Sequence, residues 1–292
     1  MALDFTDQQP PRPPGGVGPR SVNAILWRGA GYVVLALTAL TMMLPFLWMV
    51  STSLKPLSEV QSGHFLPQEW RPENYLEVIT KVPFGRYYFN SVFVALWVTF
   101  GQVLTSALAA YAFSRLRWAW RDRVFLLYLG TLMVPGLVTL IPNYWVLTEL
   151  RLINTYTVLI LPACFSAYGT FLLRQFMLTI PASLDESAEI DGASHWCIFW
   201  DIVMPLARPG LVVLAIFTFM GNYQSFFWPL VMVKDEYLRT LPIGLLFFDS
   251  SYGRETTLLM AASVMAMLPL IALFVVGQRF FVRGIQLGAV KG

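Results

Sequence analysis

Cysteine and histidine, which most often supply nucleophiles and metal ligands, are scarce in this chain of 292 residues. Cys164 and Cys197 stand alone, as do His64 and His195, so no C-x-x-C pair suggests a zinc ribbon or a disulfide framework. A G-x-x-x-x-G-K-[ST] loop, which cradles nucleotide phosphates, is also missing from the sequence. We therefore expect no catalytic residue, no metal site and no bound cofactor on this chain.

Acidic residues concentrate in residues 181–211, which read PASLDESAEIDGASHWCIFWDIVMPLARPGL. Asp185 and Glu186 favour the start of a short helix, because negative charge is stabilising near a helix N-terminus. Gly192 permits a turn, and Ser194 is a suitable cap for a second helix. The spacing therefore predicts a helix–turn–helix that is acidic on one face and apolar on the other.

The composition indicates that this segment belongs to a membrane protein. Hydrophobic residues make up 57% of the chain and charged residues only 13%, whereas soluble domains carry roughly 25% charged residues. A helix needs about 20 mostly apolar residues to cross a bilayer. Six stretches qualify: Gly31–Ser51, Asn90–Phe113, Val124–Leu147, Thr157–Phe176, Pro209–Val233 and Thr257–Phe281. We expect an all-α membrane protein with six transmembrane helices, and the net charge of +3 is too small to suggest a nucleic-acid partner.

Two of the six stretches contain helix-breaking residues. The third holds Pro135-Gly136 and Pro142, and the fifth holds Gly221-Asn222 and Pro229. Such breaks are tolerated inside a membrane where neighbouring helices or a water-filled cavity satisfy the freed backbone groups. The third and fifth helices are therefore predicted to be interrupted.

Basic residues set the orientation of the chain. Arg115, Arg117, Arg121 and Arg123 crowd the turn after the second stretch, and arginine and lysine favour the cytoplasmic side of a membrane. This orientation puts both termini and the acidic segment in the cytoplasm. The loops around 52–89 and 234–256 then lie outside.

Residues 1–28 are expected to form a disordered cytoplasmic tail. Their first twenty residues are polar and rich in proline and glycine, so they cannot bury enough apolar surface to become ordered. Residues 29–292 then form the membrane domain. Within it, residues 181–208 are the predicted cytoplasmic loop, called the hairpin below.

Prolines delimit the hairpin. Pro181 ends the preceding helix because it has no N–H to donate, and Pro205 and Pro209 bend the chain back toward the bilayer. Such a hairpin is either an amphipathic element lying in the membrane interface or a docking element for a cytoplasmic partner. The residues alone slightly favour the first interpretation.

The hairpin resembles the EAA loop of permeases from binding-protein-dependent ABC importers. That loop has Glu-Ala-Ala, a glycine after three further residues, and Ile-x-Leu-Pro after nine more. Here Glu186-Ser187-Ala188, Gly192 and Ile202-Val203-Met204-Pro205 keep the same spacing, with serine for one alanine and methionine for leucine. Asp191-Gly192-Ala193 is similar to the version of the loop in sugar importers. The resemblance favours the docking interpretation.

Other segments extend this resemblance over nearly all of the chain beyond the tail. Ser53-Leu54-Lys55, residues 109–115 (AAYAFSR), residues 141–144 (IPNY) and the terminal residues 288–292 (GAVKG) are similar to the carbohydrate-uptake branch, specifically its maltose-type second permease. Gly221 stands where the family usually has tryptophan. That departure leaves the transported solute open.

The resemblance implies a permease subunit of a bacterial importer in the cell inner membrane. Its implied partners are a second permease, two cytoplasmic subunits that hold ATP and magnesium, and an extracellular solute-binding protein that delivers a sugar or sugar-like solute. The hairpin would then transmit closure of the ATPase pair to the membrane helices. The residues assigned to this coupling are Glu186, Ser187, Ala188, Asp191, Gly192, Ala193, Ile202 and Pro205.

Polar residues inside membrane helices usually face the interior of the helix bundle. Asn143, Asn222, Tyr223 and Gln224 are the predicted substrate pathway, where amides and an aromatic ring meet sugar hydroxyls. The alternative is hydrogen bonding between helices, worth about 0.6 kcal/mol on average. That alternative is favoured for Gln102 and Asn143 and evenly balanced for residues 222–224. Trp228 is interpreted as a membrane-interface anchor.

Three other functions are the alternatives to a sugar permease. The same kind of permease could carry a glycerol phosphoester, a polyol or an amino sugar. A membrane-embedded sugar transferase would call for clustered acidic or histidine residues at one membrane face, and the acidic residues here are spaced for docking instead. An ion-driven transporter usually has a charged residue near the middle of a helix, and none of the six stretches does.

Overall fold

The computed structural model describes residues 22–250 and 255–289, with side chains described for 27–249 and 255–278. No strand occurs in these ranges. The α-helices are α1 (Val22–Ser53), α2 (Glu73–Lys81), α3 (Phe84–Ser114), α4 (Arg121–Gly130), α5 (Leu140–Glu149), α6 (Tyr156–Ile160), α7 (Ala167–Leu178), α8 (Ser183–Ile190), α9 (His195–Cys197), α10 (Met204–Leu206), α11 (Arg208–Tyr223), α12 (Phe227–Met232), α13 (Leu241–Leu245), α14 (Phe247–Ser250) and α15 (Thr256–Ala289). A π-helical stretch, Ile198–Val203, joins α9 to α10, and short 3-10 helices occupy Leu57–Ser62, Thr131–Met133, Pro162–Cys164 and Glu236–Leu238.

Four helical segments of the described chain are long and apolar enough to cross a bilayer. They correspond to the first, second, fourth and sixth predicted stretches: Trp27–Ser53, Phe84–Ser114, Tyr156–Leu178 and Thr256–Gln278. A fifth candidate is the bent pair of His195–Leu206 and Arg208–Tyr223. The six predicted helices are therefore not reproduced as six continuous spans, because the third and fifth stretches are broken.

The third predicted stretch is divided between α4 and α5. α4 ends at Gly130, and regular α-helix resumes at Leu140. Pro135-Gly136 lies in this gap, where proline supplies no N–H and glycine does not favour a helix. Pro142 lies in the first turn of α5, a position that needs no intrahelical N–H donor.

The fifth predicted stretch breaks later than its glycine suggested. α11 continues through Gly221 and Asn222 and ends at Tyr223, and α12 begins at Phe227. A single glycine costs a helix only about 1 kcal/mol, which packing can offset. The predicted interruption is present, but its position is corrected to residues 224–226.

The described residues up to Val50 form one compact unit, and the described residues from Ser51 onward form another. In the first unit, α1 exposes apolar side chains along its length, as a membrane-embedded helix does. α1 begins at Val22, before the expected end of the tail at residue 28, because the dense run of prolines and glycines in the tail ends at Pro19. Residues 1–21 of the predicted tail lie outside the described residues.

α3 is the central element of the second unit, and α7 and α11 pack along it. Its 31 residues extend about 46 Å at 1.5 Å per residue, more than the roughly 30 Å of a bilayer core. Different segments of the chain pack against its two ends. Ala107, Ala110 and Tyr111 pack against the hairpin at the C-terminal end, and Val94 and Val98 pack against α6 and α12 nearer the N-terminal end.

The N-terminal end of α3 holds the loop between α12 and α13. The Asn90 side-chain amide donates to the carbonyls of Tyr237 and Arg239, both at 2.9 Å, and its oxygen accepts a 2.7 Å bond from the Tyr156 hydroxyl. The Ser91 hydroxyl accepts the Leu241 N–H at 2.7 Å. This loop and the hairpin therefore lie at opposite ends of one helix.

Candidate functional site

The first arm of the hairpin is α8, which begins and ends where the sequence predicted. Asp185 and Glu186 lie in its first turn, as predicted. Gly192 has φ of +84°, a left-handed conformation in which glycine carries no steric penalty. The Ala193 N–H donates to the Ala188 carbonyl at 2.9 Å, and the Gly192 N–H donates to that of Glu189 at 3.0 Å. These two bonds form a Schellman turn, which ends α8 abruptly.

The second arm begins at the predicted cap and is held by apolar packing. The Ser194 hydroxyl accepts the Cys197 N–H at 3.3 Å. Beyond it, Ile198, Phe199 and Val203 are each at most 1% exposed, and the Phe199 ring lies 5.2 Å from that of Tyr111 on α3. The second arm is therefore anchored in the core at the C-terminal end of α3.

The chain bends by 76° where the second arm meets α11. The bend lies at Ala207, between Pro205 and Pro209, as the sequence predicted. Ala207 is 1% exposed and belongs to the same apolar cluster as Phe199. A displacement of the hairpin would therefore act directly on the first turn of α11.

The residues assigned to coupling fall into two sets. Ala188, Ala193 and Ile202 pack against the apolar cluster that joins the hairpin to α3, α7 and α11. The others are exposed: Glu186, Ser187, Asp191, Gly192 and Pro205. The hairpin thus has one face that packs against α3, α7 and α11 and another that exposes the carboxylates of Glu186 and Asp191.

An ion pair that the sequence did not reveal ties the hairpin to α3. Arg115 Nη1 lies 3.1 Å from Asp185 Oδ2, and the two side chains are only 8% and 14% exposed. Arg115 Nη2 also donates to the carbonyl of Met177 (2.7 Å), in the last turn of α7, and to that of Ile180 (2.9 Å), just after α7 ends. One guanidinium therefore joins the end of α3, the end of α7 and the start of α8.

The Asp185 carboxylate lies in an environment that disfavours its charge, so it depends on Arg115 as a counterion. Burial raises the pKa of the Asp185 carboxyl above its ordinary value, Arg115 opposes that rise, and Glu189 and Glu186 add to it. The Asp185 Oδ1 atom is buried without a hydrogen-bond partner among the described residues. Removal of Arg115 would leave this carboxylate with neither solvent nor a counterion.

A second candidate site lies where the breaks in the third and fifth stretches meet. A cavity of about 350 Å³, called the break cavity below, is bounded by α5, α12 and the segments beside them. Its polar lining residues are Thr139, Asn143, Asn222, Ser225, Trp228 and Thr240. No charged residue is among the described residues that line it. Hydroxyls, amides and an indole can bind a neutral polyhydroxy compound by hydrogen bonds and stacking.

The structure brings together only two of the four predicted pathway residues. Asn143 and Asn222 both line the break cavity. Tyr223 does not: it is 3% exposed, and its hydroxyl donates to the Ala266 carbonyl at 2.9 Å. Gln224 is exposed, and it is not among the residues that line the cavity. Adjacent side chains on a helix diverge by about 100°, so these neighbours do not share one face.

Two residues that line the cavity, Trp228 and Thr240, were not assigned to the substrate pathway from the sequence. Trp228 lines the cavity, and its indole N–H donates to the Val158 carbonyl at 3.0 Å, two contacts that the sequence did not predict. Thr240 is 3% exposed, and its hydroxyl has no hydrogen-bond partner among the described residues. Gln102 donates to the Thr218 hydroxyl at 2.9 Å, which confirms the hydrogen bond between helices predicted for it.

Comparison with known proteins gives a consistent result. The model of the family described as binding-protein-dependent transport system inner membrane component matches residues 102–286. The chain is 32% identical over 262 residues to the arabinooligosaccharides transport system permease protein AraQ of Halalkalibacterium halodurans, covering 88% of this chain and 94% of that protein. It is 38% identical over 205 residues to the sn-glycerol-3-phosphate transport system permease protein UgpE of Yersinia enterocolitica, covering 70% and 73%.

The fold is similar to a chain in the crystal structure of a bacterial ABC transporter involved in the import of the acidic polysaccharide alginate. The TM-score is 0.79, the sequence identity is 24%, and the match covers 89% of this chain and 98% of that chain. At this identity the likeness concerns the fold alone. It agrees with the helical arrangement around α3.

Proposed function

The chain belongs to the family of binding-protein-dependent transport system inner membrane components, and from this we propose that it is the sugar-translocating permease subunit of a bacterial ATP-binding-cassette importer. The family consists of transport components rather than enzymes, so the chain has no reaction of its own to catalyse. In this proposal, the chain opens a solute site alternately to the two sides of the membrane as the ATP-binding subunits hydrolyse ATP.

The observation that carries the proposal is the two-sided hairpin. Its buried side is fixed by the Arg115–Asp185 ion pair and by Phe199 in the apolar cluster. Its exposed side presents Glu186 and Asp191. A docked partner that moves α8 would therefore also move α3, α7 and α11, because packed interiors transmit displacement with little compression.

We propose two cytoplasmic ATP-binding subunits, a second permease and an extracellular solute-binding protein as partners. In this arrangement the ATP-binding subunits, which hold ATP and magnesium, dock on the exposed face of the hairpin. Both termini and the hairpin lie in the cytoplasm, and the loop held by Asn90 lies outside. The chain crosses the inner membrane six times, with the third and fifth crossings interrupted around the break cavity.

A neutral, hydroxyl-rich solute suits the break cavity better than an anionic one. A phosphoester is usually bound by arginine or lysine, and the described residues that line the cavity include neither. Thr240 offers a buried hydroxyl in need of a partner, and Trp228 offers a ring face for stacking. The AraQ relative, which by its name serves arabinooligosaccharides, supports the same class of solute.

A glycerol phosphoester is the second candidate solute, because the UgpE relative is by its name part of an sn-glycerol-3-phosphate system. Under this alternative the second permease would supply the cations that the break cavity lacks on this chain. Competition separates the two candidates. Uptake inhibited by neutral oligosaccharides but not by sn-glycerol-3-phosphate supports the sugar, and the reverse pattern supports the phosphoester.

The coupling proposal is tested by reconstituting the chain with the second permease, the ATP-binding subunits and the binding protein encoded beside it. We expect ATPase activity to rise when the loaded binding protein is added. Glu186→Ala should lose most of this rise while the complex stays assembled, because α8 loses a carboxylate on its exposed face. Glu149→Ala, which removes an exposed carboxylate at the end of α5, is the matched control and should retain the rise.

Two results would contradict the assignment. One is a chain that assembles with no ATP-binding subunit. The other is a Glu186→Ala complex that responds to the binding protein as strongly as the control does. The hairpin would then be an amphipathic element of the membrane interface, which was the alternative interpretation of its sequence.

A further inference from the structure

The arginines around the turn between α3 and α4 differ in whether they have partners. Arg121 lies 3.1 Å from the carboxylate of Asp122, and Arg174 approaches the same carboxylate at 3.7 Å. Arg117 and Arg123 are exposed and make no ion pair with any residue that the structure describes. These two guanidiniums are therefore available to an anion from outside the chain.

A surface cavity of about 360 Å³ lies between these two arginines. Its lining consists of Arg117, Trp118, Ala119, Arg121, Asp122 and Arg123. Three guanidiniums and one carboxylate leave the lining with a positive excess, and the carboxylate is already occupied by its own arginine partners. Guanidinium groups bind phosphate oxygens through paired N–H donors. The cavity is suited to a phosphate group.

An apolar surface continues directly from this cavity along α4. Leu126 and Leu127 are 70% and 75% exposed, although they follow Arg123 within one turn of the helix. Trp118 and Trp120 are also exposed beside the cavity, and the Arg123 guanidinium lies 4.9 Å from the centre of the Trp120 ring. Tryptophan at the boundary between basic and apolar surface is typical of the headgroup region of a membrane.

The arginines, the tryptophans and the apolar face of α4 follow one another in the same order as the headgroup phosphate, the interfacial region and the acyl chains of an anionic phospholipid. We propose that residues 117–127 bind the headgroup phosphate of an anionic inner-leaflet phospholipid between Arg117 and Arg123, with an acyl chain along Leu126 and Leu127. The site rests on the cytoplasmic placement of this turn that belongs to the proposed function. Free phosphate would satisfy the arginines but would leave the apolar face uncovered.

The bound lipid would lie beside the hairpin. Arg117, Trp118 and Arg121 also line a larger cavity of about 810 Å³, whose lining includes Asp185 and Glu186 of α8. The α8 carboxylates repel an anion, so the lipid phosphate belongs in the smaller cavity between Arg117 and Arg123. A phospholipid there would hold the basic turn at the membrane surface next to the element that couples to the ATP-binding subunits.

The test measures retained lipid on the purified full chain and therefore needs neither ATP nor solute. The chain is placed in nanodiscs of phosphatidylcholine with a minority of phosphatidylglycerol, transferred to detergent, and examined by native mass spectrometry. We expect phosphatidylglycerol to remain bound to the wild type. R117Q/R123Q should retain about 25-fold less, since each basic residue near an anionic membrane surface contributes about fivefold to binding.

Two matched variants separate the site from general charge and from folding. R71Q/R151Q removes the same charge from exposed arginines elsewhere on the second unit and should retain phosphatidylglycerol as the wild type does. R117K/R123K keeps the charge and should retain most of the lipid. Inorganic phosphate at millimolar concentration should displace little of the lipid, because it cannot replace the acyl-chain contact.

Three results would overturn the proposal. The first is equal retention of phosphatidylglycerol by R117Q/R123Q and by R71Q/R151Q. The second is wild-type retention of phosphatidylcholine as strong as that of phosphatidylglycerol. The third is full displacement by inorganic phosphate, which would make this a site for the free ion. A failure of the transport assay with specific lipid retention intact would count against the proposed function and not against this site.

Discussion

The hairpin and the break cavity differ in how densely their side chains pack. On the buried side of the hairpin, side chains are closely packed: Arg115 joins three helix ends, and Phe199 is almost fully buried. In the break cavity, backbone is irregular, the lining is uncharged, and the Thr240 hydroxyl lacks a partner among the described residues. Transmission of a displacement needs dense packing, whereas passage of a solute needs space and unsatisfied polar groups.

The contrast predicts that single substitutions in the two regions change different measurable properties. A change in the hairpin should alter stability and the coupling of ATP hydrolysis to transport. A change in the break cavity should alter the apparent affinity for the solute and leave stability almost unchanged. The four experiments below test this division, from the largest expected effect to the smallest.

Arg115→Met should have the largest effect. It leaves the Asp185 carboxylate buried without its counterion, and the removal of one partner from a buried pair costs about 3–5 kcal/mol. We expect a clearly lower midpoint of thermal unfolding and loss of ATPase stimulation by the binding protein. Arg208→Met, which removes an exposed arginine at the start of α11, should leave the midpoint unchanged.

A double substitution sharpens this result. R115M/D185L removes both charges and should recover part of the lost stability, because apolar pairs replace buried ion pairs at little cost. Equal destabilisation of the double and single variants would mean that the bonds from Arg115 to the carbonyls of Met177 and Ile180 carry the whole effect.

Gly192→Ala should have an intermediate effect. Its φ of +84° costs an alanine about 1–2 kcal/mol, so the turn between the hairpin arms should loosen and ATPase stimulation should fall in part. Gly85→Ala is the control, since Gly85 lies in the first turn of α3 with nothing within 4 Å of an added Cβ. Similar activity in both variants would show that the turn does not need its left-handed glycine.

Thr240→Val should act on the solute alone. The exchange removes a hydroxyl that has no partner among the described residues, so stability should hold or improve, while one lost hydrogen bond to solute raises the uptake KM about fivefold. Thr52→Val removes another buried, unpartnered hydroxyl away from the cavity and should leave KM unchanged. An unchanged KM in Thr240→Val would remove Thr240 from the pathway.

The smallest effect concerns pH. The raised pKa of Asp185 means that the folded state takes up a proton more readily than the unfolded state. Stability from this protonation is present at acid pH and is lost as pH rises from the ordinary carboxyl value through the raised one. The destabilisation by Arg115→Met, measured as thermal midpoints, should therefore shrink as pH falls from 7 toward 5.

Neighbouring carboxylates set the control for the pH experiment. Glu186 and Glu189 contribute to the raised pKa of Asp185, so the same titration is repeated in R115M/D185N. That variant cannot protonate at residue 185, and its midpoint relative to the wild type should vary less with pH. A pH dependence as steep as that of Arg115→Met would assign the effect to the two glutamates.

Sequence alone predicted the features that depend on neighbouring residues. The start of α8, a turn at Gly192, the cap at Ser194 and the bend between Pro205 and Pro209 all follow from local backbone and capping preferences. The apolar character of four continuous spans follows from local hydropathy. Each of these depends on contacts within a few residues, which the order of the amino acids determines directly.

Only the tertiary structure decided which distant residues meet. Arg115 was one of four arginines in a basic turn until helix packing put Asp185 beside it. Asn222 and Tyr223 looked equivalent in sequence, yet the rotation of α11 directs one to the break cavity and the other to α15. Such contacts depend on how helices rotate and pack against α3, and no local preference specifies that rotation.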